Sequence, residues 1–191
     1  GGLERVLSVK ASYLAEHYNY EITILSLNDN HLNSFYTFSD KIKMLSIPVA
    51  GNPIQYLLSY KKGIQEIVKQ LKPDVISVCD DGLKGFFIPQ LLKNKIPIIY
   101  ERQVSKEIEM NDDFPIWKKG LIQLKWQLME HLASGFSKFV VLTHGNTKEW
   151  KSLKNLEVIP NPLSFYPEQS STLQNKKVIA VGKQGYQKGY D

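Results

Sequence analysis

The chain has 191 residues, 42% of them hydrophobic and 23% charged, a balance that excludes a disordered segment and suits one well-packed domain. Twenty-four basic and 19 acidic side chains give a net charge of +5, which favours anionic ligands or an anionic membrane surface; the basic residues are scattered, with no arginine-rich tract or RNA-recognition signature, which disfavours nucleic acid as a partner. No apolar run approaches the roughly 18 residues needed to cross a bilayer, and the single cysteine, Cys79, excludes an internal disulfide, so the expectation is a cytoplasmic protein, with peripheral contact at the inner face of the membrane as a further option.

Leu3, Val6, Leu7, Val9, Leu14 and Ala15 lie broadly on one helical face, and residues 3–17 are expected to form an amphipathic helix with Glu4, Arg5, Lys10 and Glu16 mostly off that face. Glu21 to Leu27 alternates as a strand does. A polar, turn-rich stretch follows, then a short strand over Ile42 to Ile47 that Pro48 and Gly51-Asn52-Pro53 break, and a helix over Ile54 to Leu71. Val75 to Cys79 forms the next apolar run, ended by Asp80-Asp81-Gly82; residues 83–94 return as a helix and Ile96 to Tyr100 as a strand. A long helix over Pro115 to Ala133, a strand over Lys138 to Leu142, a helix capped by Thr143 and running through Leu153, and a strand over Leu156 to Ile159 complete the series. Strands joined by short helical crossovers require parallel neighbours, so the expected fold is a Rossmann-like three-layer α/β sandwich with a mainly parallel sheet.

The last stretch, Lys177 to Asp191, opens a further unit. Val178 to Val181 is an apolar β run, Gly182 releases it into a turn carrying Lys183 and Lys188, and Gly189-Tyr190-Asp191 begins a helix. Two lysines five apart in a glycine-containing loop bring cations and backbone N–H groups against a diphosphate. Ser164 to Asn175 has the polar composition of an interdomain linker.

Four stretches taken in order carry a family resemblance: GGLERVL at Gly1 to Leu7, YERQ at Tyr100 to Gln103, VIPNPLSF at Val158 to Phe165, and VGKQGYQKGYD at Val181 to Asp191. Together they resemble the retaining glycosyltransferases of family 4, whose GT-B fold faces two Rossmann-like domains across a cleft. The last stretch departs from the family pattern in having Lys183 where arginine is usual, which keeps the charge and loses the bidentate fork. The resemblance implies an acceptor-side N-terminal domain over residues 1–163, a linker over 164–175, and the start of a donor-binding C-terminal domain over 176–191, with the family's acidic E-x(7)-E motif beyond Asp191. It implies transfer of a sugar from a nucleoside diphosphate sugar to a saccharide, polysaccharide or lipid-linked acceptor, as in polysaccharide or cell-envelope synthesis, with no essential metal or other cofactor. In the family Gly1 and Gly2 follow a first strand, so the chain is expected to be a domain excerpt whose sheet is interrupted where that strand belongs, open to filling by Lys177 to Val181 or to strand exchange between copies.

The same resemblance assigns Gly1, Gly2, Gly182, Lys183 and Lys188 to the donor, with Lys183 and Lys188 stabilising the leaving diphosphate, and Glu101, Arg102 and Ser105 to the acceptor. Their ordinary alternatives are a glycine turn at the helix start and a surface ion pair between Glu101 and Arg102. Asp80-Asp81 invites Mg²⁺, but beside a glycine a turn and helix cap is the preferred expectation, and the four histidines lack metal-ligand spacing. Trp117, Lys118, Lys119, Lys125 and Trp126 suit an interfacial helix; core packing by Leu121, Leu124, Leu128 and Leu132 explains the same helix without a membrane. Two other functions share the architecture: a noncatalytic sugar- or nucleotide-binding module, and a GT-B-type nucleotide-sugar epimerase.

Overall fold

A computed structural model describes residues 2–29, 35–80, 82–93, 95–166, 168–169, 172, 174 and 178–179. Strands β1 (Thr23–Leu27) and β2 (Lys43–Ile47) form one parallel pair, and β3 (Ile76–Val78), β4 (Ile98–Glu101), β5 (Lys138–Val141) and β6 (Leu156–Val158) form a second ladder in that order, parallel throughout. The helices are α1 (Gly2–His17), α2 (Pro53–Leu71), α3 (Ile88–Leu92) and α4 (Ile116–Ala133).

Period-two alternation sends each strand's side chains to two faces. On one face Leu25, Leu27 and Ile47 join Val78, Tyr100 and Phe139 in the main core, under α2, α3 and α4. On the other, Ile24 and Met44 pack with Ala11 and Ala15 of α1. Helices therefore lie on both sides of parallel strands, the expected three-layer Rossmann-like α/β arrangement. The core centres on an aromatic stack: Tyr100 lies parallel to Phe139 at 5.1 Å, and Phe139 meets Trp150 at 4.6 Å.

Local chemistry sets several boundaries. Asn52 caps α2, its side chain accepting from the N–H groups of Ile54 and Gln55 while the Gln55 side chain accepts from the Asn52 N–H, and Pro53 supplies the fixed φ of a first turn. Asn28, at φ 52°, donates to the Val49 carbonyl at 2.8 Å and accepts from its N–H at 2.7 Å, so its amide ties the ends of β1 and β2 together as a peptide group would.

Four expectations need correction. The helix expected over residues 83–94 is a 3₁₀ turn over Leu83–Phe87 followed by the single-turn α3, because Pro89 lacks the N–H that would carry one helix through both. The helix expected from Thr143 through Leu153 is only a 3₁₀ segment over Asn146–Trp150. Thr143 does accept from the Asn146 N–H at 3.2 Å, but Thr147 Oγ1 donates to the His144 carbonyl at 2.7 Å and draws it from an α ladder. Leu121, Leu124 and Leu128 are exposed, and α4 reaches the core instead through Met129, Leu132 and Ala133. Val178 and Ile179 belong to no strand and are exposed, so these two residues do not fill the interruption between the ladders; Ala180 and Val181 lie outside the described residues.

Candidate functional site

The parallel strands fall into two ladders, β1–β2 and β3–β4–β5–β6. The carboxyl ends of parallel strands are where open α/β sheets place their ligands. Three elements meet there. Lys10 of α1 forms an ion pair with Glu101 at the end of β4, and Ser77 of β3 donates to the same carboxylate at 2.5 Å. Cys79, just past β3, lies 3.9 Å from Lys10 Nζ and 3.7 Å from Ser77 Oγ. Burial pushes the Cys79 thiol up from its ordinary value; Lys10 opposes that shift and Glu101 adds to it. The thiol stays protonated at neutral pH and contributes a weak polar surface beside Lys10, Ser77 and Glu101.

Sequence geometry explains the constellation. Ser77 and Cys79 are two apart and share a face; the register Val78 to Tyr100 places Glu101 beside them, while Tyr100 points into the opposite core. Lys10 is in reach because α1 covers that face. The alternative of a Glu101–Arg102 surface pair is not realised: Glu101 takes Lys10 as its partner and Arg102 is buried.

Arg102 is 4% exposed, and its backbone N–H donates to the Val140 carbonyl at 2.9 Å. With Ser105 it lines a small cleft against Asn146, Glu149 and Trp150, apart from the Lys10–Glu101 pair. Ser105 Oγ accepts from the Glu107 N–H at 3.2 Å, capping a 3₁₀ turn over Lys106–Glu109, so that hydroxyl is already engaged. The three acceptor-side residues therefore fall into two groups. Gly2 opens α1 and is exposed, with open space where a side chain would stand. Gly1, Gly182, Lys183 and Lys188 lie outside the described residues.

Asp80 has the capping role expected of it, accepting from Gly82 N–H at 2.9 Å and Gly85 N–H at 3.2 Å; Asp81 lies outside the described residues. Among the described residues no cluster of three histidine, cysteine or acidic side chains stands within reach of one ion, and no helix is long and apolar enough to cross a membrane. A surface depression lined by Gln65, Lys69, Lys72, Pro73, Leu92 and Ile96 lies before the amino ends of β3 and β4, away from this cluster.

The chain matches no protein-family profile and no curated protein sequence. Its chemistry is therefore argued from the Lys10–Glu101–Ser77 cluster itself. There, Lys10 and Ser77 are the residues sequence inspection missed. Lys10 is one of several polar positions on α1, and its partner lies 91 residues away. Only the strand register and the placement of α1 bring the two together.

Proposed function

We propose that this chain is the acceptor-side half of a retaining glycosyltransferase that moves a sugar from a nucleoside diphosphate sugar to a saccharide, polysaccharide or lipid-linked acceptor. The observation that supports this best is the Lys10–Glu101–Ser77 cluster at the carboxyl ends of parallel strands. The resemblance of four ordered motifs adds the reaction class.

In this reading the acceptor hydroxyl oxygen bonds to the anomeric carbon on the face the diphosphate leaves, the carbon–oxygen bond to the diphosphate breaks with its electron pair on the phosphate oxygen, and that oxygen takes up the hydroxyl proton. Glu101 accepts a hydrogen bond from the acceptor and orients it; Lys10 and Ser77 hold the carboxylate in place. Gly2 leaves the start of α1 open to approach from the cleft. Lys183 and Lys188 meet the charge that grows on the diphosphate, which is worth most in a dry site, so no metal is required. Residues 164–175 link this half to a donor-binding half that begins near residue 176, and transfer needs both.

The full-length protein tests this. Incubated with nucleoside diphosphate sugars and glycan acceptors, it should release nucleoside diphosphate in step with glycan extension. Lys188→Ala should lower kcat by about 30- to 1,000-fold, the loss of one charge-assisted contact, while acceptor binding stays near wild type. Sugar binding without turnover in the wild type would return the chain to a noncatalytic binding module.

A further inference from the structure

We propose that the outward face of α2 docks this chain on an anionic lipid surface. Ile54, Leu57 and Leu58 are 71%, 56% and 61% exposed, and Lys61, Lys62, Lys69 and Lys72 are exposed as well. Counted from Ile54 these positions fall at i+3, i+4, i+7, i+8, i+15 and i+18, so they make one stripe along the helix, apolar over its first turns and basic beyond. The opposite side of α2 meets the core through Tyr60 and Ile64, and no apolar side chain of the stripe belongs to that core.

Charge selects the occupant. From Pro53 to Lys72 the chain has four lysines and one acid, Glu66. Glu66 lies 3.8 Å from Lys62, with both side chains largely in water, a contact that neutralises little. Lys61, Lys69 and Lys72 make no ion pair or side-chain hydrogen bond among the described residues, so their ammonium groups are open to an external anion.

The residue types narrow that anion further. Protein interfaces are depleted of lysine and centre on aromatic or arginine anchors, and the stripe has neither. A nucleic-acid backbone would take the lysines and leave Leu57 and Leu58 in water. Aliphatic side chains in line with clustered lysines suit an anionic leaflet, which buries the first at headgroup depth and attracts the second. The exposed Leu121 and Leu124 of α4 lack that company, because Lys125 is paired with Glu109 at 2.8 Å and Lys119 donates to the Asp112 carbonyl at 2.8 Å.

Sedimentation of the full-length protein with vesicles of phosphatidylcholine and about 30% phosphatidylglycerol should carry it into the pellet at about 0.1 M salt, while about 0.5 M salt or phosphatidylcholine alone should leave it in solution. Each lysine near an anionic leaflet is worth about a fivefold change in partitioning, so replacing Lys61, Lys62 and Lys69 together by glutamine should lower it about 100-fold. Leu57→Gln with Leu58→Gln leaves every charge in place and should lower it at least about 10-fold. All of these positions are exposed, so circular dichroism spectra should match wild type. Leu121→Gln with Leu124→Gln on α4 should bind as wild type does. A wild type that stays in solution with the anionic vesicles, equal binding to phosphatidylcholine alone, binding unchanged in either α2 variant, binding lost in the α4 variant, or self-association lost in the α2 leucine variant without any vesicle binding would each overturn the proposal.

Discussion

Replacing Glu130 by glutamine should destabilise the fold and loosen the loop that follows β4. Lys106 is 6% exposed; its ammonium pairs with Glu130 and lies 4.6 Å from the Trp150 ring centre and 5.6 Å from that of Trp126. Its backbone N–H donates to Glu149 Oε2 at 2.7 Å, and Ser152 Oγ donates to Glu130 at 2.5 Å, so one network fixes the segment carrying Arg102 and Ser105. Glutamine keeps the size of the side chain and leaves the ammonium without its counter-charge. Removing one partner of a fully buried pair costs about 3–5 kcal/mol, but the Glu130 side chain is 29% exposed and the indole faces still attract the cation, which brings the expected loss to about 1.5–3 kcal/mol. Burial pushes the Glu130 carboxyl up, while the hydrogen bonds from Lys106 and Ser152 and the lysine charge outweigh it and hold the group below its ordinary value of 4.5. A carboxyl depressed in the folded state contributes stability that is complete above its unfolded value and is lost as the pH falls through the folded one. Urea unfolding at pH 7 should therefore show the full deficit of Glu130→Gln, and the gap to wild type should narrow below pH 4.5. Equal stability at pH 7, or a gap unchanged at pH 3, would refute the reasoning.

Asn28→Ala removes both amide bonds to Val49 and leaves a non-glycine residue at positive φ, and should cost about 1–3 kcal/mol by urea unfolding. Asn52→Ala opens the capping box of α2, with an expected loss of about 1 kcal/mol by the same measurement. Phe139→Ala empties the centre of the aromatic stack at a position with no exposure, and should cost about 3–5 kcal/mol; a loss under 1 kcal/mol would mean that the core closes over the gap.

The strands were legible because β-branched and aromatic runs such as Ile98 to Tyr100 sit between proline and glycine breaks, and the crossovers between them are long enough to force parallel pairing. The burial of α4 was not. That helix has two apolar faces, one through Leu121 and Leu124 and one through Met129 and Ala133, and periodicity does not say which meets the sheet. The segment after Thr143 failed for a different reason: its cap signal is real, but Thr147 offers the backbone a competing bond that no hydrophobic pattern records. At the site, Glu101 was visible from its place after a strand. Lys10 was not, because the pairing depends on how α1 lies across a sheet whose register the sequence leaves unstated.

The most direct test of the Lys10–Glu101–Ser77 cluster as the acceptor site is acceptor kinetics of the full-length protein at saturating donor, for Glu101→Gln, Lys10→Met and the two combined. Glu101→Gln should lower kcat/KM for the acceptor by about 30- to 1,000-fold with donor KM unchanged. Lys10→Met acts through Glu101, so the double variant should lose little beyond the Glu101 change alone. Folded variants whose acceptor kinetics match wild type, or losses confined to donor KM, would contradict the account.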